Sequence, residues 1–218
     1  MNTFEQYTDI EIIQKILQGE TALFEILIRR NNPFLYKTGR SYNYNHQDTQ
    51  DLMQDTYLDA YSHLTQFENR SSFKTWIIKI MLNNCYRKKQ KFSSKNEVPY
   101  EITDKSIPMF SNQPFYDANK TIMNRELSSA IENALQQVPV DYRMVFSLRE
   151  LNRLTIAETA EALDISEANV KVRLNRAKAM LRKEIEKTYT AEDIFEFNLV
   201  YCDALTNSVL NKIKQLTQ

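Results

Sequence analysis

The sequence predicts an all-α protein: two helical domains on a flexible linker, followed by a C-terminal helical extension. Three observations lead there. Only two Gly and five Pro occur in 218 residues, while Leu, Ile, Glu, Lys, Gln and Asn are abundant. Apolar residues recur at helical spacing, with no internal repeat and no sustained strand-like alternation. The stretch 92–119 then breaks the pattern with Pro99, Pro108 and Pro114 among scattered Ser and Asn, the composition of a tether. The expected divisions are residues 8–95, a linker at 96–121, residues 122–188 and the extension at 189–218.

The elements follow in order. Asp9 to Tyr44 holds two helical patterns separated near Gly19, one with Ile12, Ile13, Ile16 and Leu17, the other with Leu23, Phe24, Leu27 and Ile28. A stronger helix runs from Gln50 to Leu64, and after the loop 66–71 a second long one from about Ser72 to Lys91. Helices resume at Ile122 to Gln137, stop before Pro139, and continue as Asp141 to Leu151. In the extension, Leu205, Val209, Ile213 and Leu216 fall on one helical face, preceded by Phe195, Phe197 and Tyr201. A stripe that apolar should be buried, by internal docking or by a regulator.

Residues 156–182 read as a helix-turn-helix. Thr155 and Glu158 form a T-x-x-E capping box, Ile156, Ala160 and Leu163 give one apolar face, and Asp164 suits the sharp turn because Asp tolerates positive φ. Ser166 caps the second helix, where Val170, Leu174, Ala177 and Leu181 form a narrow stripe. Asn169, Val172, Arg173 and Arg176 point the other way. Ala168 to Lys187 carries seven Lys/Arg against two Glu. A helix apolar on one side and cationic on the other suits the DNA major groove, with cations for phosphates and Arg or Asn forks for base edges. An ordinary helical hairpin with a solvated basic face is the plainer alternative.

The formal net charge is zero, but the charge is sorted. Lys79 to Lys95 holds six basic residues and no acid, whereas acids collect near the N-terminus and around Asp48 to Asp59. Such sorting suggests one anionic and one basic partner. Cys85 and Cys202, with His46 and His63, match no metal-ligand spacing, so free thiols in a reducing cytoplasm are expected. No secretory signal or membrane-length apolar run is visible. No nucleophile–base pair, phosphate loop or metal cluster suggests an enzyme, and no cofactor is expected.

Two further features bear on function. On the 50–64 helix, Met53, Tyr57, Ala60, Tyr61 and Leu64 share one side; Asp51, Asp55 and Asp59 share the other, with Leu52 and Leu58 near the acids. Acids flanking apolar anchors look like a dock for a basic partner, although an ordinary solvated acidic face reads the same way. Downstream, Phe67 to Lys89 interleaves Phe73 and Trp76 with cations and hydroxyls, a pattern suited to unstacked bases. Aromatics at i and i+3 equally pack into a core.

DLMQDTYLDAY (51–61), FENRSSFKTWIIKI (67–80) and the helix-turn-helix together resemble bacterial sigma factors of the extracytoplasmic-function (ECF) type, which consist of sigma regions 2 and 4 joined by a linker. The resemblance covers about residues 8–187. It implies region 2 at 8–95 and region 4 at 122–188. Asp51, Leu52, Gln54, Asp55 and Leu58 would dock on the clamp helices of the largest subunit of core RNA polymerase. Arg70, Ser71, Ser72, Phe73, Lys74, Trp76, Lys79, Asn83, Asn84 and Arg87 would open the minus-ten promoter element and read it as a single strand. Glu167, Asn169, Lys171, Val172, Arg173 and Arg176 would read the minus-thirty-five duplex. An anti-sigma partner and a cytoplasmic location are implied as well. The competing reading is a dimeric helix-turn-helix regulator on duplex operators, with residues 8–95 as its dimerisation or effector domain.

Overall fold

A computed structural model describes residues 7–94, 129–187 and 206–210; the expected linker at 96–121, Cys202 and most of the extension lie outside them. The described residues form helices and no strand. The first unit comprises α1 (Asp9–Leu17), α2 (Phe24–Ser41), α3 (His46–Ser62) and α4 (Phe73–Ser94). The second comprises α5 (129–137), α6 (Val140–Phe146), α7 (Ile156–Leu163) and α8 (Glu167–Glu186).

Local chemistry sets the helix ends. Thr8 and Glu11 form a capping box at α1, and Gly19 at φ 109° permits the reversal that releases the chain toward α2. Asn45 caps α3, accepting from the Asp48 N–H at 2.7 Å, so α3 starts four residues earlier than the apolar pattern suggests. Gly39 marks the crossing of α2, α3 and α4. A Cβ there would meet Thr49 Cγ2 at 2.7 Å and Met81 Cε at 2.9 Å, so only Gly admits this approach. After α6 the backbone widens into a π turn, Ser147–Leu151, whose Asn152 N–H reaches Ser147 O five residues back.

Two points depart from the sequence reading. Leu17 is exposed rather than buried with Ile12, Ile13 and Ile16. More consequentially, the two units share a core. Met144, Leu148, Leu154 and Ala162 of the second unit pack into the same cluster as Leu27, Leu35, Phe73, Ile77 and Met81 of the first. The second unit's own cores are small: Val145, Ala160 and Val170 in one, Ala134, Leu135, Val138 and Leu181 in the other. Met144, Leu148, Leu154 and Ala162 are buried in the shared cluster instead, so the first unit completes the second unit's core.

Candidate nucleic-acid interface

On α3 the division of faces is sharper than the sequence suggests. Leu58 is 60 % exposed and Leu52 only 4 %. Of the two leucines near the acids, only Leu58 is available to a partner; Leu52 belongs to the core and holds the helix in place. Asp51, Gln54 and Asp55 are exposed beside it. Leu58 and Tyr61 also border an open apolar cleft of about 550 Å³, walled by Phe24, Ile28, Met53 and Tyr57. The acid stripe is partly neutralised from within. Lys88 of α4 meets Asp48 at 2.5 Å, and Arg87 lies 3.6 Å from Asp59. Asp51 and Asp55, between them, face the same cleft as Arg87, Lys88 and Lys91.

The segment from Arg70 into α4 separates the candidate single-strand readers. Arg70, Ser72, Lys79, Asn83 and Arg87 are exposed, while Ser71, Lys74 and Trp76 are half-buried. Phe73, 2 % exposed, is a core residue, so its ring does not meet a base. Asn84 is buried too, its amide donating to Thr56 Oγ1 at 3.2 Å and Asp59 Oδ2 at 3.1 Å. Both corrections have one cause: period 3.6 puts these positions on the side where α4 crosses α2 and α3. Trp76 stacks at a tilt, 5.3 Å from Phe67 and 5.6 Å from Phe73 between ring centroids. Within this aromatic cluster Trp76 and Phe67 are half-buried and Phe73 is buried.

The helix-turn-helix forms as its sequence indicates. Thr155 accepts from the Glu158 N–H at 3.1 Å, and the Glu158 carboxylate accepts from the Thr155 N–H at 2.8 Å. Asp164 takes the turn at φ 53°, ψ 49°. Ser166 accepts from the Asn169 N–H at 3.2 Å. Val170, Ala177 and Leu181 are buried, whereas Glu167, Lys171, Val172 and Arg176 are exposed, with Val172 at 47 %. Arg173 is half-buried: its Nε donates to Asn169 Oδ1 at 3.1 Å, and it borders a groove shared with Tyr86 and Lys89 of α4.

A polar seam joins the units, and no periodicity singles out its residues. Arg40 of α2 meets Glu132 of α5 at 2.8 Å, with side chains only 5 % and 10 % exposed. Arg143 donates to Ser41 O at 2.6 Å and, within its own unit, to Leu135 O at 3.1 Å and Gln136 O at 2.8 Å. Burial lowers its pKa to about 10, which leaves it charged at neutral pH. Ser41 Oγ donates to Ser147 Oγ at 2.7 Å, and Asn152 Nδ2 to Thr38 Oγ1 at 3.0 Å. Two candidate readers also meet the seam: Lys74 donates to Asn152 O at 3.3 Å and Ser72 to Glu158 at 3.4 Å, beside Thr75, which donates to the same carboxylate at 3.0 Å. Burial raises the Glu158 pKa, but the bonds from Thr155 and Thr75, aided by Lys74, outweigh it and hold the group below its ordinary value. Among the described residues no group of His, Cys, Asp and Glu could hold a metal, and no helix is long and apolar enough to cross a membrane.

Comparison with known proteins identifies both units. Residues 27–93 match the family model described as Sigma-70 region 2, and residues 128–181 match Sigma-70, region 4. The ECF RNA polymerase sigma-E factor of Haemophilus influenzae is 25 % identical over 186 residues, covering 84 % of this chain and 97 % of that protein. The ECF sigma factor SigW of Bacillus subtilis is 24 % identical over 177 residues, covering 79 % and 94 %. Among solved structures, CnrH in complex with the cytosolic domain of CnrY has a TM-score of 0.58 at 21 % identity, covering 83 % of this chain and 99 % of that one. The sigma factor RpoE of Bartonella quintana, in complex with the anti-sigma factor NepR, has a TM-score of 0.59 at 20 % identity, covering 75 % and 96 %. The fold is shared with these two structures, and the chain belongs to the sigma-70 family as a member of the ECF type.

Proposed function

We propose that the chain is a dissociable promoter-reading subunit of RNA polymerase. It binds core polymerase through the α3 face, reads the minus-thirty-five duplex with α8, and captures the unpaired minus-ten strand with the start of α4. The observation that carries this reading is the presence, in one chain and in order, of an acidic, Leu-bearing docking face, an aromatic–cationic helix and a capped helix-turn-helix, within regions 2 and 4. The chain's own part is binding rather than bond-making; phosphodiester synthesis belongs to the polymerase.

The division of labour follows from where each group sits. Asp51, Gln54, Asp55 and Leu58 form the surface offered to the clamp helices of the largest subunit, with Leu52 behind it as support. Arg70, Ser71, Ser72, Lys74, Trp76, Lys79, Asn83 and Arg87 hold the melted strand, where stacking and backbone contacts act only after the strands part. Phe73 and Asn84 position these groups from the core. Glu167, Asn169, Lys171, Val172, Arg173 and Arg176 address the major groove. By capturing the open state, region 2 draws the duplex–melted equilibrium forward.

Promoter reading requires the two units to separate. About 25 base pairs lie between minus ten and minus thirty-five, roughly 85 Å at ~3.4 Å per step. The 34 residues from 95 to 128 reach about 110 Å at ~3.3 Å per residue. The tether is long enough, but the seam in its closed form is not compatible with that span. The relatives solved with anti-sigma partners make such a partner an expectation for this chain too.

The test is run-off transcription with core polymerase on a genomic fragment library, with a pull-down of core polymerase. The expected result is a monomer that binds core polymerase and enriches a set of start sites sharing two upstream elements. A dimer that binds palindromic duplex without polymerase contradicts the proposal.

A further inference from the structure

One groove at the seam has no role in the reading above. Its walls come from both units: Tyr42 and Tyr86 on one side, Met144 and Leu163 on the other, with Lys89 and Arg173 at its lip. It offers about 350 Å³, room for aromatic side chains. Tyr86 stands 55 % exposed over it, its hydroxyl accepting from Gln90 Nε2 at 2.7 Å and much of its ring left in water. Asp141 supplies a carboxylate against the two cations, so the lining is net positive.

We propose that residues 191–203 of the chain's own C-terminal segment occupy this groove and hold the two units closed. Three observations name that occupant. The first is charge: residues 188–211 contain Glu192, Asp193, Glu196 and Asp203 and no Lys or Arg, complementary to the Lys89 and Arg173 lip. The second is side-chain type. Ile194, Phe195, Phe197, Leu199 and Tyr201 supply apolar and aromatic groups for walls made of Tyr, Met and Leu.

The third is reach. Arg173 lies fourteen residues before Lys187 on α8, about 21 Å along the helix at ~1.5 Å per residue. The eight residues from Thr188 to Phe195 extend about 26 Å at ~3.3 Å each. A segment tethered this closely acts at an effective concentration of order millimolar, so modest contacts suffice. Because each wall belongs to a different unit, the occupant favours the closed pairing. It also covers Arg173, one of the candidate duplex readers. The helical residues 206–210, with Val209 and Leu210 exposed, lie beyond the proposed insert.

The groove's occupant is measured without polymerase; only the effect on transcription rests on the promoter-reading assignment. In the full chain, Tyr86 is replaced by the photo-crosslinking residue p-benzoylphenylalanine, and adducts are mapped by mass spectrometry after irradiation. The expected result is an intramolecular adduct to residues 191–203. Adducts to other parts of the chain alone, or adducts of twice the chain mass that show a second copy in the groove, overturn the proposal. A second full-length variant carries Phe195→Ser, Phe197→Ser and Tyr201→Ser. It should retain the helical circular dichroism, lose the adduct by about tenfold, and bind an upstream-element duplex several times more tightly. Loss of the adduct with unchanged duplex binding overturns the restraining role. An intact adduct in a chain that is inert with core polymerase supports the occupant and counts against the promoter-reading assignment alone.

Discussion

Replacing Glu132 by Ala tests whether the closed pairing rests on its buried ion pair. In the closed arrangement Arg40 and Glu132 meet at 2.8 Å with almost no exposure, 5 % and 10 %. Removing the carboxylate takes the Glu132 partner from a buried Arg40 guanidinium that still donates to Tyr44 O at 3.1 Å, and breaking a buried pair in this way typically costs about 3–5 kcal/mol. With the units apart, Arg40 is hydrated and the substitution costs little. The closed-to-open equilibrium should therefore shift by roughly two to four powers of ten, at ~1.4 kcal/mol per decade. Small-angle scattering reads the outcome, since a compact chain of this length has a radius of gyration of about 17 Å and separated units are distinctly larger. If the closed form survives, the same loss appears as a thermal midpoint lower by several degrees. The double variant Arg40→Met, Glu132→Met buries no charge at this site and should recover most of the difference. A Glu132→Ala chain with unchanged radius and midpoint refutes the claim that this pair holds the units together.

Four other outcomes are expected. Leu58→Asp, or Asp55→Lys, should weaken core-polymerase binding by about 2 kcal/mol in equilibrium pull-downs while leaving the circular dichroism unchanged, because both side chains face outward. Lys79→Ala should slow open-complex formation on duplex promoters, with rescue on templates mismatched around the start site; Trp76→Ala should do the same and also lower the thermal midpoint, since its ring packs on Phe67 and Phe73. Arg176→Ala should weaken binding to upstream duplex by about 1–3 kcal/mol, relaxing base preference if it reads a base and acting uniformly across sequences if it contacts phosphate. Glu158 has a depressed folded-state pKa, so its contribution is present above its unfolded value of about 4.3 and is lost as pH falls through the folded value. Thermal midpoints measured from pH 6 down to pH 3 should fall more steeply for the native chain than for Glu158→Gln, whose amide keeps the cap without titrating.

Much of the site was legible because its signals are local. A capping box, an αL Asp and a Ser N-cap lie within a few residues of what they organise, and the structure forms each of them at Thr155, Asp164 and Ser166. The buried side of α8, Val170, Ala177 and Leu181, was likewise readable from a 3.6 period, but Asn169 and Arg173, expected on the open face, are half-buried, Arg173 in the groove against α4. Local signals fail where two faces compete for one residue. Leu52 and Leu58 look alike beside the aspartates, yet the packing of α3 on α2 and α4 buries the first and exposes the second. Phe73 and Asn84 carry side chains suited to nucleic acid, but they lie where α4 turns inward. Even the acid stripe changes meaning once α4 is in place, because Lys88 and Arg87 engage Asp48 and Asp59.

From the sequence alone followed the all-helical class, the two units, the helix-turn-helix with its caps, and the segregation of acid and base between α3 and the later helices. These depend on hydrogen bonds and periodicities spanning a few residues, which a linear reading captures. That the units close on one another was decided only in three dimensions. Arg40 and Glu132 are 92 residues apart, Ser41 and Ser147 are 106 apart, and each is an unremarkable polar residue until the other removes it from water. Met144, Leu148 and Leu154 show the same dependence: their apolarity was visible, but which surface would cover them was not. Burial of a polar group is a property of the pair rather than of either residue, so the seam exists only where the chain has brought both halves together.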